Sequence, residues 1–208
     1  MPKTNAEILD IVKQFAEIIQ KNKDMLTDLD RPIGDSDHGI NMARGFEAVV
    51  NDIPNLEGKD IGAIMKTVGM DLLKTVGGAS GPLYGTAFMR AAVPVNGKES
   101  IDGNDFLAML NASIEGIQQR GKAVLDEATM IDALIPARDA YQLEFESSHN
   151  FKAAMEKAVA AAEAGCEHTK SLVATKGRAS YLGERGIGHQ DPGATSATLL
   201  LTVIRDNA

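Results

Sequence analysis

The stretch Asp30-Arg-Pro-Ile-Gly-Asp35-Ser-Asp37-His38-Gly39 places three carboxylates, a histidine and two glycines within ten residues. Carboxylates this close repel one another and raise each other's proton affinity unless a cation lies between them. Oxygen-only ligands favour Mg²⁺, Ca²⁺ or Mn²⁺, and Mg²⁺ commonly completes its shell with water and phosphate oxygens. Asp30, Asp35 and Asp37 are therefore candidate metal ligands. The alternative is that each aspartate only caps a turn or a helix.

Helical periodicity flanks this stretch on both sides. Thr4 and Glu7 have the spacing of a capping box, and apolar residues then recur every three or four positions. This pattern predicts a first helix that ends between Asn22 and Asp28. A second apolar stripe follows the acidic stretch and predicts a helix that Pro54 terminates. The candidate metal ligands are therefore predicted to lie between two helices.

Six further helices are predicted, and no segment alternates strictly with period two. Their predicted starts are, in order, near Asp60, at Pro82, after Asp102, at Thr129 with Asp132, after Asn150 and near Ala194. Their predicted ends, in the same order, are before Gly77, near Pro94, at Gly121, near Phe145, at Leu172 and near Ile204. Aromatic residues make up only 4% of the chain, which favours close-packed helices over a β-sandwich. We therefore predict one all-α domain, residues 1–208, with function gathered in the loops.

Charge and hydropathy exclude several classes of function. The chain has 21 Lys and Arg against 29 Asp and Glu, a net charge of −8, and no basic run. Binding to nucleic acid or to an anionic membrane is therefore not expected. No run of about 18 apolar residues could cross a bilayer, and the N-terminus lacks the apolar segment of a signal peptide. We expect a cytoplasmic protein.

Two predicted helix starts are candidate phosphate cradles. In Gly77-Gly-Ala-Ser80-Gly81, the glycines allow close backbone approach, Ser80 adds a hydroxyl, and the following helix contributes free amides. A glycine-rich helix connector would look much the same, so this motif alone leaves both interpretations open. His38-Gly39 opens another helix directly beside the acidic stretch. The combination favours a metal-bridged polyphosphate as ligand.

The long connection from Lys176 to Gly193 is predicted to be a folded lid. It contains five glycines, a tyrosine and three cations, and connections of this length are usually functional or disordered. Arg178 could reach a phosphate as a planar fork, or it could form an ordinary surface salt bridge. Asp191-Pro192-Gly193 is either a plain turn before a helix or a hinge at the rim of a ligand site.

Three segments taken together resemble the nucleotide-binding L subunit of the dihydroxyacetone kinase family. They are Ile33–Met42, Val76–Pro82 with Tyr84-Gly85-Thr86, and Lys176–Ser196, and they occur in order over nearly the whole chain. The resemblance implies an eight-helix up-and-down antiparallel barrel with nucleotide bound among the loops at one end. One segment differs: Leu125-Asp-Glu-Ala-Thr-Met130 stands where the family commonly has Gly-Asp-Lys before Thr-Met, so a cation is lost and negative charge is kept beside the nucleotide rim.

The resemblance also implies which residues surround a bound ADP or ATP and two Mg²⁺ ions. Asp30, Asp35 and Asp37 would hold the two Mg²⁺ ions. The residues implied at the phosphates are His38, Gly39, Ile40, Asn41, Ala79 and Ser80; those at the adenosine are Gly121 and Met130; those that close over the nucleotide are Arg178, Asp191, Pro192 and Gly193. Arg178 would also be the catalytic cation, because phosphoryl transfer needs a positive group near the transferred phosphate.

The activity implied by the resemblance is that of a phosphotransferase subunit. A phosphocarrier M subunit of the phosphotransferase system would phosphorylate the bound nucleotide, which would pass the group to dihydroxyacetone held on a separate K subunit. The chain shows no evident sugar site, so a substrate-binding partner is expected. Two alternatives stay open: an ATP-dependent kinase subunit for a related ketose or polyol, and a regulatory adaptor whose nucleotide state selects a protein partner. The oligomeric state, including a homodimer, is also open.

Overall fold

The computed structural model describes residues 2–208, which form nine α-helices and one short pair of strands. The helices are α1 (Asn5–Lys21), α2 (Lys23–Asp30), α3 (His38–Asp52), α4 (Ile61–Thr75), α5 (Ser80–Ala91), α6 (Gly103–Gly121), α7 (Ile131–Ser148), α8 (Phe151–His168) and α9 (Pro192–Asp206). The strands β1 (Lys3–Thr4) and β2 (Ser100–Ile101) pair antiparallel, with Lys3 opposite Ile101. Short 3₁₀ segments are Ile53–Asn55, Val93–Val95, Thr169–Ser171 and Arg178–Gly186. The all-α prediction is confirmed.

Eight of these helices form a closed ring of contacts. Helix α1 packs against α3, each helix from α3 to α8 packs against the next, and α9 returns to α1. This ring is what an eight-helix barrel requires. The short helix α2 is an addition to the predicted set and packs mainly against α3 and α9. Because α2 ends at Asp30, the first carboxylate of the acidic stretch is held by a helix.

Side-chain caps set several of the helix starts where they were predicted. The amide of Thr4 donates to Glu7 Oε2 at 2.9 Å, and the amide of Glu7 donates to Thr4 Oγ1 at 3.4 Å, which completes the capping box of α1. The side chains of Asp60, Asp102 and Asn150 likewise accept backbone amides at the starts of α4, α6 and α8. Free amides at these starts are thereby satisfied locally.

Other boundaries differ from the predictions. Helix α7 begins at Ile131, slightly after Thr129, but the predicted pair does act at its start. The Asp132 carboxylate accepts the Thr129 amide (2.7 Å), and the Thr129 hydroxyl accepts the Ile131 amide (3.2 Å). Asp132 also accepts the Asp126 amide (2.5 Å) of the preceding loop. Helix α9 begins at Pro192, before the predicted Ala194, because Asp191 is its capping residue. Helix α8 ends at His168 and passes into a 3₁₀ turn, short of the predicted Leu172.

The ring encloses an apolar core built mainly from aliphatic side chains, as the composition predicted. Phe15, Phe46 and Phe88 meet edge to face, with ring centroids 6.3–6.4 Å apart. A cavity of about 170 Å³ remains among apolar side chains of α1, α5, α6 and α9. Among residues 2–208, no helix combines the length and hydropathy needed to span a bilayer. The cytoplasmic location stays a prediction.

Helices α7 and α8 approach each other closely at Gly165. A Cβ atom added there would lie 2.0 Å from the carbonyl oxygen of Asp132, so the backbone would have to move. We expect Gly165→Ala to destabilise the fold by about 2 kcal/mol, which lowers the melting temperature by about 4–8 °C in a chain of this size. Calorimetry measures this shift. Ala164→Ser, at an exposed position one residue away, is the control, and equal melting of both variants would contradict the close approach.

Candidate functional site

The acidic stretch folds into a loop between α2 and α3 that brings its three carboxylates together. One oxygen each from Asp30, Asp35 and Asp37 lies within 4.8 Å of the others. Asp30 is buried, and its Oδ2 accepts the amides of Asp37 (2.9 Å) and His38 (3.2 Å). A Cβ on Gly34 would lie 1.9 Å from Asp30 Oδ1, so only glycine fits at that position. The loop is therefore built around the Asp30 carboxylate.

The electrostatics of this cluster favour a bound cation. Burial raises the pKa of Asp37, and the charges of Asp35 and Asp30 raise it further, against a hydrogen bond from Asn41 that lowers it. A divalent cation among the carboxylates would remove this repulsion. Because every donor is a carboxylate oxygen, the residues present fit a hard ion such as Mg²⁺.

His38 is buried and connects two other helix starts to the acidic loop. Its Nδ1 lies 3.1 Å from Ser80 Oγ, and its Nε2 lies 2.9 Å from Ser196 Oγ. Burial lowers the pKa of His38 to about 4, although the charge of Asp30 acts in the opposite direction. The imidazole is therefore neutral near pH 7. The starts of α3, α5 and α9 meet at this side chain.

The glycine-rich segment before α5 forms a tight turn beside the carboxylates. Helix α5 begins at Ser80, two residues before the predicted Pro82. Gly78 has φ 62°, which favours glycine. A Cβ on Gly81 would lie 2.2 Å from the carbonyl oxygen of Val76. These glycines let the turn bring Ala79 and Ser80 to the wall of a cleft.

The lid is folded, as predicted, and one of its cationic residues, Arg178, contacts the acidic loop. Residues Arg178–Gly186 form 3₁₀ turns that Gly183 interrupts with φ 57° and ψ −134°. Arg178 Nε lies 2.7 Å from Asp35 Oδ2, and both side chains are partly exposed. Exposed ion pairs contribute little free energy, so this contact can be exchanged for a ligand at small cost.

Glu127 attaches the start of the lid to the segment that precedes α7. Its carboxylate accepts the Val124 amide (2.8 Å), the Thr175 hydroxyl (2.6 Å) and the Lys176 ammonium (3.1 Å). The Thr175 hydrogen bond is the largest cause that lowers the pKa of Glu127. The Glu127 charge is therefore paired within the protein, and Ala128, at the position where the resemblance led us to expect a cation, lines the cleft.

A cleft of about 200 Å³ unites the acidic loop, the α5 turn, the lid and the start of α9. Most of the predicted site residues line it. These are Asp30, Asp35, Asp37, His38, Ala79, Ser80, Met130, Arg178, Asp191, Pro192 and Gly193.

Gly39, Ile40, Asn41 and Gly121 lie outside this lining. A Cβ on Gly39 would lie 2.0 Å from an α2 carbonyl oxygen, so this glycine permits close helix packing. Ile40 is 49% exposed, whereas Asn41 is buried. Gly121 ends α6 beside Leu83, which does line the cleft. Contact of these four residues with a nucleotide stays a prediction.

Comparison with known proteins decides the family. Residues 32–206 match the model of the DAK2 domain. The chain belongs to the DAK2 domain family. A relative from Escherichia coli (strain K12), 42% identical over 98% of this chain and 97% of its own length, is named PEP-dependent dihydroxyacetone kinase, ADP-binding subunit DhaL. A relative from Listeria innocua serovar 6a, named PEP-dependent dihydroxyacetone kinase 1, ADP-binding subunit DhaL, is 46% identical over 91% of this chain and 89% of its own.

A solved structure shares the fold of this DAK2 domain. It is the crystal structure of the dihydroxyacetone kinase from C. freundii in complex with AMP-PNP and Mg²⁺, with a TM-score of 0.76 and 23% identity. The match covers 100% of this chain and 35% of that one. At this level of identity, the likeness shows a common all-α fold.

Two residues of the DAK2 domain site were not predicted as site residues. Tyr84 lines the cleft, and Ser196 contacts both Tyr84 and His38. Both stand inside the segments that carry the family resemblance, which was the available signal. Neither spacing nor residue type indicated that they meet His38, because that contact joins helices distant in sequence.

Asp191 gives the DAK2 domain a measurable pH dependence. Burial raises its pKa to about 7, the charges of Asp132 and Asp30 add to the effect, and the Ala194 amide opposes it. The folded protein therefore keeps a proton that the unfolded chain releases near pH 4. This stabilisation is complete below that pH and is lost as the pH rises through about 7.

Asp191→Asn should therefore raise the melting temperature in chelator at about pH 8, with a smaller gain at about pH 5. Asparagine can still accept the Ala194 amide, which now donates to Asp191 Oδ2 at 2.6 Å. Asp206→Asn, at the exposed end of α9, removes the same charge and is the control. A gain that is constant from pH 5 to 8 would contradict the assigned pKa.

Proposed function

We propose that this chain is the ADP-binding subunit of a dihydroxyacetone kinase that uses the phosphotransferase system. The relatives that carry this name are 42% and 46% identical over nearly their whole lengths. The single observation that carries the proposal is that three carboxylates, within 4.8 Å of one another, line the same cleft as the α5 turn. That arrangement suits a metal-bound diphosphate.

Asp30, Asp35 and Asp37 are the proposed ligands of two Mg²⁺ ions. When bound, Mg²⁺ supplies charge neutralisation at the β- and γ-phosphate oxygens. Asp30 is the fixed member, because two backbone amides hold its Oδ2. Asp35 is the adjustable member, because its present partner is the lid cation Arg178.

The other predicted residues are assigned to the parts of ADP or ATP. The phosphates would meet the starts of α3 and α5, where helix amides and Ser80 are available. The residues proposed for this part are His38, Gly39, Ile40, Asn41, Ala79 and Ser80. Gly121 and Met130 would border the adenosine, and Asp191, Pro192 and Gly193 would form the opposite rim. Arg178 is the proposed catalytic cation, since it is a charged group on a lid that faces the acidic loop.

We propose that dihydroxyacetone is held on a separate K subunit and that a phosphocarrier M subunit restores the nucleotide. The cleft is lined by carboxylates, glycines and one lid, which suits a nucleotide better than a small neutral sugar. Residues 1–208 would act as a single domain, in line with the continuous apolar core. A homodimer stays a prediction.

Two measurements test this function. The purified protein should release stoichiometric ADP on denaturation, and removal of Mg²⁺ by chelator should lower its melting temperature. At a hundredfold excess of nucleotide over its dissociation constant, the stabilisation should be about 2.7 kcal/mol. Turnover should require phosphoenolpyruvate, the carrier proteins and a K subunit.

The outcomes separate the alternatives. Turnover with free ATP alone would identify an ATP-dependent kinase subunit for a ketose or polyol. Nucleotide-dependent capture of a partner without phosphoryl transfer would identify a regulatory adaptor. A protein that releases no nucleotide and is unaffected by chelator would refute the proposal.

A further inference from the structure

Four side chains form a continuous buried hydrogen-bonded chain that ends at the cleft. Tyr84 OH lies 2.7 Å from Ser196 Oγ, which lies 2.9 Å from His38 Nε2. His38 Nδ1 lies 3.1 Å from Ser80 Oγ. The exposed fractions of Tyr84, Ser196 and His38 are 3%, 0% and 7%, so water does not compete for these bonds. Of the two serines, only Ser80 lines the cleft.

The end of the chain opposite Ser80 is closed by a carbonyl group. The carbonyl oxygen of Gly193 lies 3.1 Å from Ser196 Oγ and 3.4 Å from Tyr84 OH. A carbonyl oxygen only accepts hydrogen bonds. The proton of Ser196 can therefore point to His38, or away from it to Gly193 or Tyr84, and this choice is coupled to the protonated nitrogen of His38.

A neutral imidazole has one N–H group, so the chain has two complete arrangements. In the first, Nε2–H donates to Ser196, Ser196 donates to Gly193 or Tyr84, and Ser80 donates to Nδ1. Ser80 then presents only lone pairs to the cleft. In the second, Tyr84 donates to Ser196, Ser196 donates to Nε2, and Nδ1–H donates to Ser80. Ser80 then presents its proton to the cleft.

We propose that Tyr84, Ser196 and His38 are positioning residues that hold the second arrangement when a nucleoside diphosphate is bound, so that the Ser80 hydroxyl donates to a phosphate oxygen. This inference rests on the proposed function. Phosphate oxygens accept hydrogen bonds, and a hydroxyl that offered a lone pair to them would be repelled. The buried chain removes the rotational freedom of Ser80 before the phosphate arrives, which lowers the cost of binding.

Tyr84→Phe is the informative variant. Without the tyrosine hydroxyl, Ser196 has no donor in the second arrangement, whereas in the first arrangement it still accepts from Nε2–H. The variant should therefore favour the first arrangement and weaken Mg-ADP binding about tenfold, as expected for loss of one charge-assisted hydrogen bond. Titration calorimetry of the full chain with Mg-ADP measures this change.

Tyr141→Phe is a matched control. Tyr141 is also fully buried, and its hydroxyl donates to the carbonyl oxygen of Gly103 at 2.9 Å, away from the cleft. Both variants lose one buried hydroxyl-to-protein hydrogen bond. Only Tyr84→Phe should change the affinity for Mg-ADP, whatever the two variants do to the melting temperature.

A double-mutant cycle separates positioning from a general structural effect. Ser80→Ala removes the hydroxyl through which Tyr84 is proposed to act. Tyr84→Phe should then have little further effect on Mg-ADP affinity in the Ser80→Ala background. Independent, additive losses in the double variant would overturn the proposal.

Nitrogen-15 NMR of the His38 ring gives a direct readout. Its signals are assigned by their disappearance in His38→Gln. With Mg-ADP bound, the parent protein should show Nδ1 protonated, and Tyr84→Phe should shift the population toward Nε2–H. An Nε2–H ring in a protein that binds Mg-ADP would overturn the inference and leave the proposed function standing. A parent protein that does not bind Mg-ADP would overturn both.

Discussion

Asp35→Ala is expected to yield a protein that retains no ADP through purification and transfers phosphoryl groups at least ~1000-fold more slowly. Asp35 is one of three carboxylates whose oxygens converge within 4.8 Å. Without it, two acidic groups would have to hold the cations that neutralise the phosphates. Because Asp35 makes no backbone cap that supports the loop, as Asp30 does, the variant should fold and report on ligand binding.

Asp28→Ala is the matched control for this experiment. Asp28 lies near the acidic stretch and pairs with Arg31 at 2.7 Å, with both side chains well exposed. The Asp28→Ala substitution removes one negative charge, as Asp35→Ala does, but removes no candidate metal ligand. Nucleotide in the denatured extract is measured by chromatography, and turnover is measured with phosphoenolpyruvate, the carriers and a K subunit. Stoichiometric ADP in purified Asp35→Ala protein would refute the metal site.

Arg178→Gln is expected to change two properties in opposite directions. Phosphoryl transfer should fall about 1000-fold, because a guanidinium near the transferred phosphate stabilises the charge that develops in the transition state. Binding of a divalent cation in the absence of nucleotide should become a few-fold tighter. The tighter cation binding is expected because Arg178 Nε lies 2.7 Å from Asp35 Oδ2 and competes with a cation for that oxygen. The gain in cation affinity is small because the ion pair is partly exposed.

Paramagnetic Mn²⁺ makes the cation-binding half of this prediction measurable, since its binding is read from its resonance without turnover; the turnover assay measures the other half. Arg31→Gln is the control, because Arg31 is also paired with an aspartate but does not line the cleft. If Arg178→Gln bound Mn²⁺ no more tightly than the parent protein, the exchange of Asp35 between the lid and the metal would be wrong. Undiminished turnover would remove Arg178 from catalysis.

The segment 125–130 shows that a departure from a family pattern needs the tertiary structure for its interpretation. The sequence indicated that negative charge was retained beside the nucleotide rim. In the structure, the Glu127 carboxylate instead binds Thr175 and Lys176 at the start of the lid. Of this segment, Ala128, Thr129 and Met130 line the cleft, and none of them is charged. The departure therefore removes a charge from the cleft without adding one.

The sequence by itself determined the features that depend on residues close together in the chain. The capping residues Thr4, Asp60, Asp102 and Asn150 set helix starts, because a cap acts on amides two or three residues away. The acidic stretch indicated a hard metal, because its carboxylates are concentrated within one loop. The family resemblance then placed most of the residues that line the cleft.

Only the tertiary structure decided which distant groups act together. Asp132 holds the Asp126 amide of the preceding loop in addition to the Thr129 amide, and Gly39 permits close packing against α2. Tyr84 and Ser196 reach His38 because α3, α5 and α9 begin at the same place. Such contacts follow from the closure of the helix ring. Closure buries the apolar faces of the helices and thereby determines which helix ends lie side by side. The spacing of residues along the chain does not predict which helix ends this closure brings together.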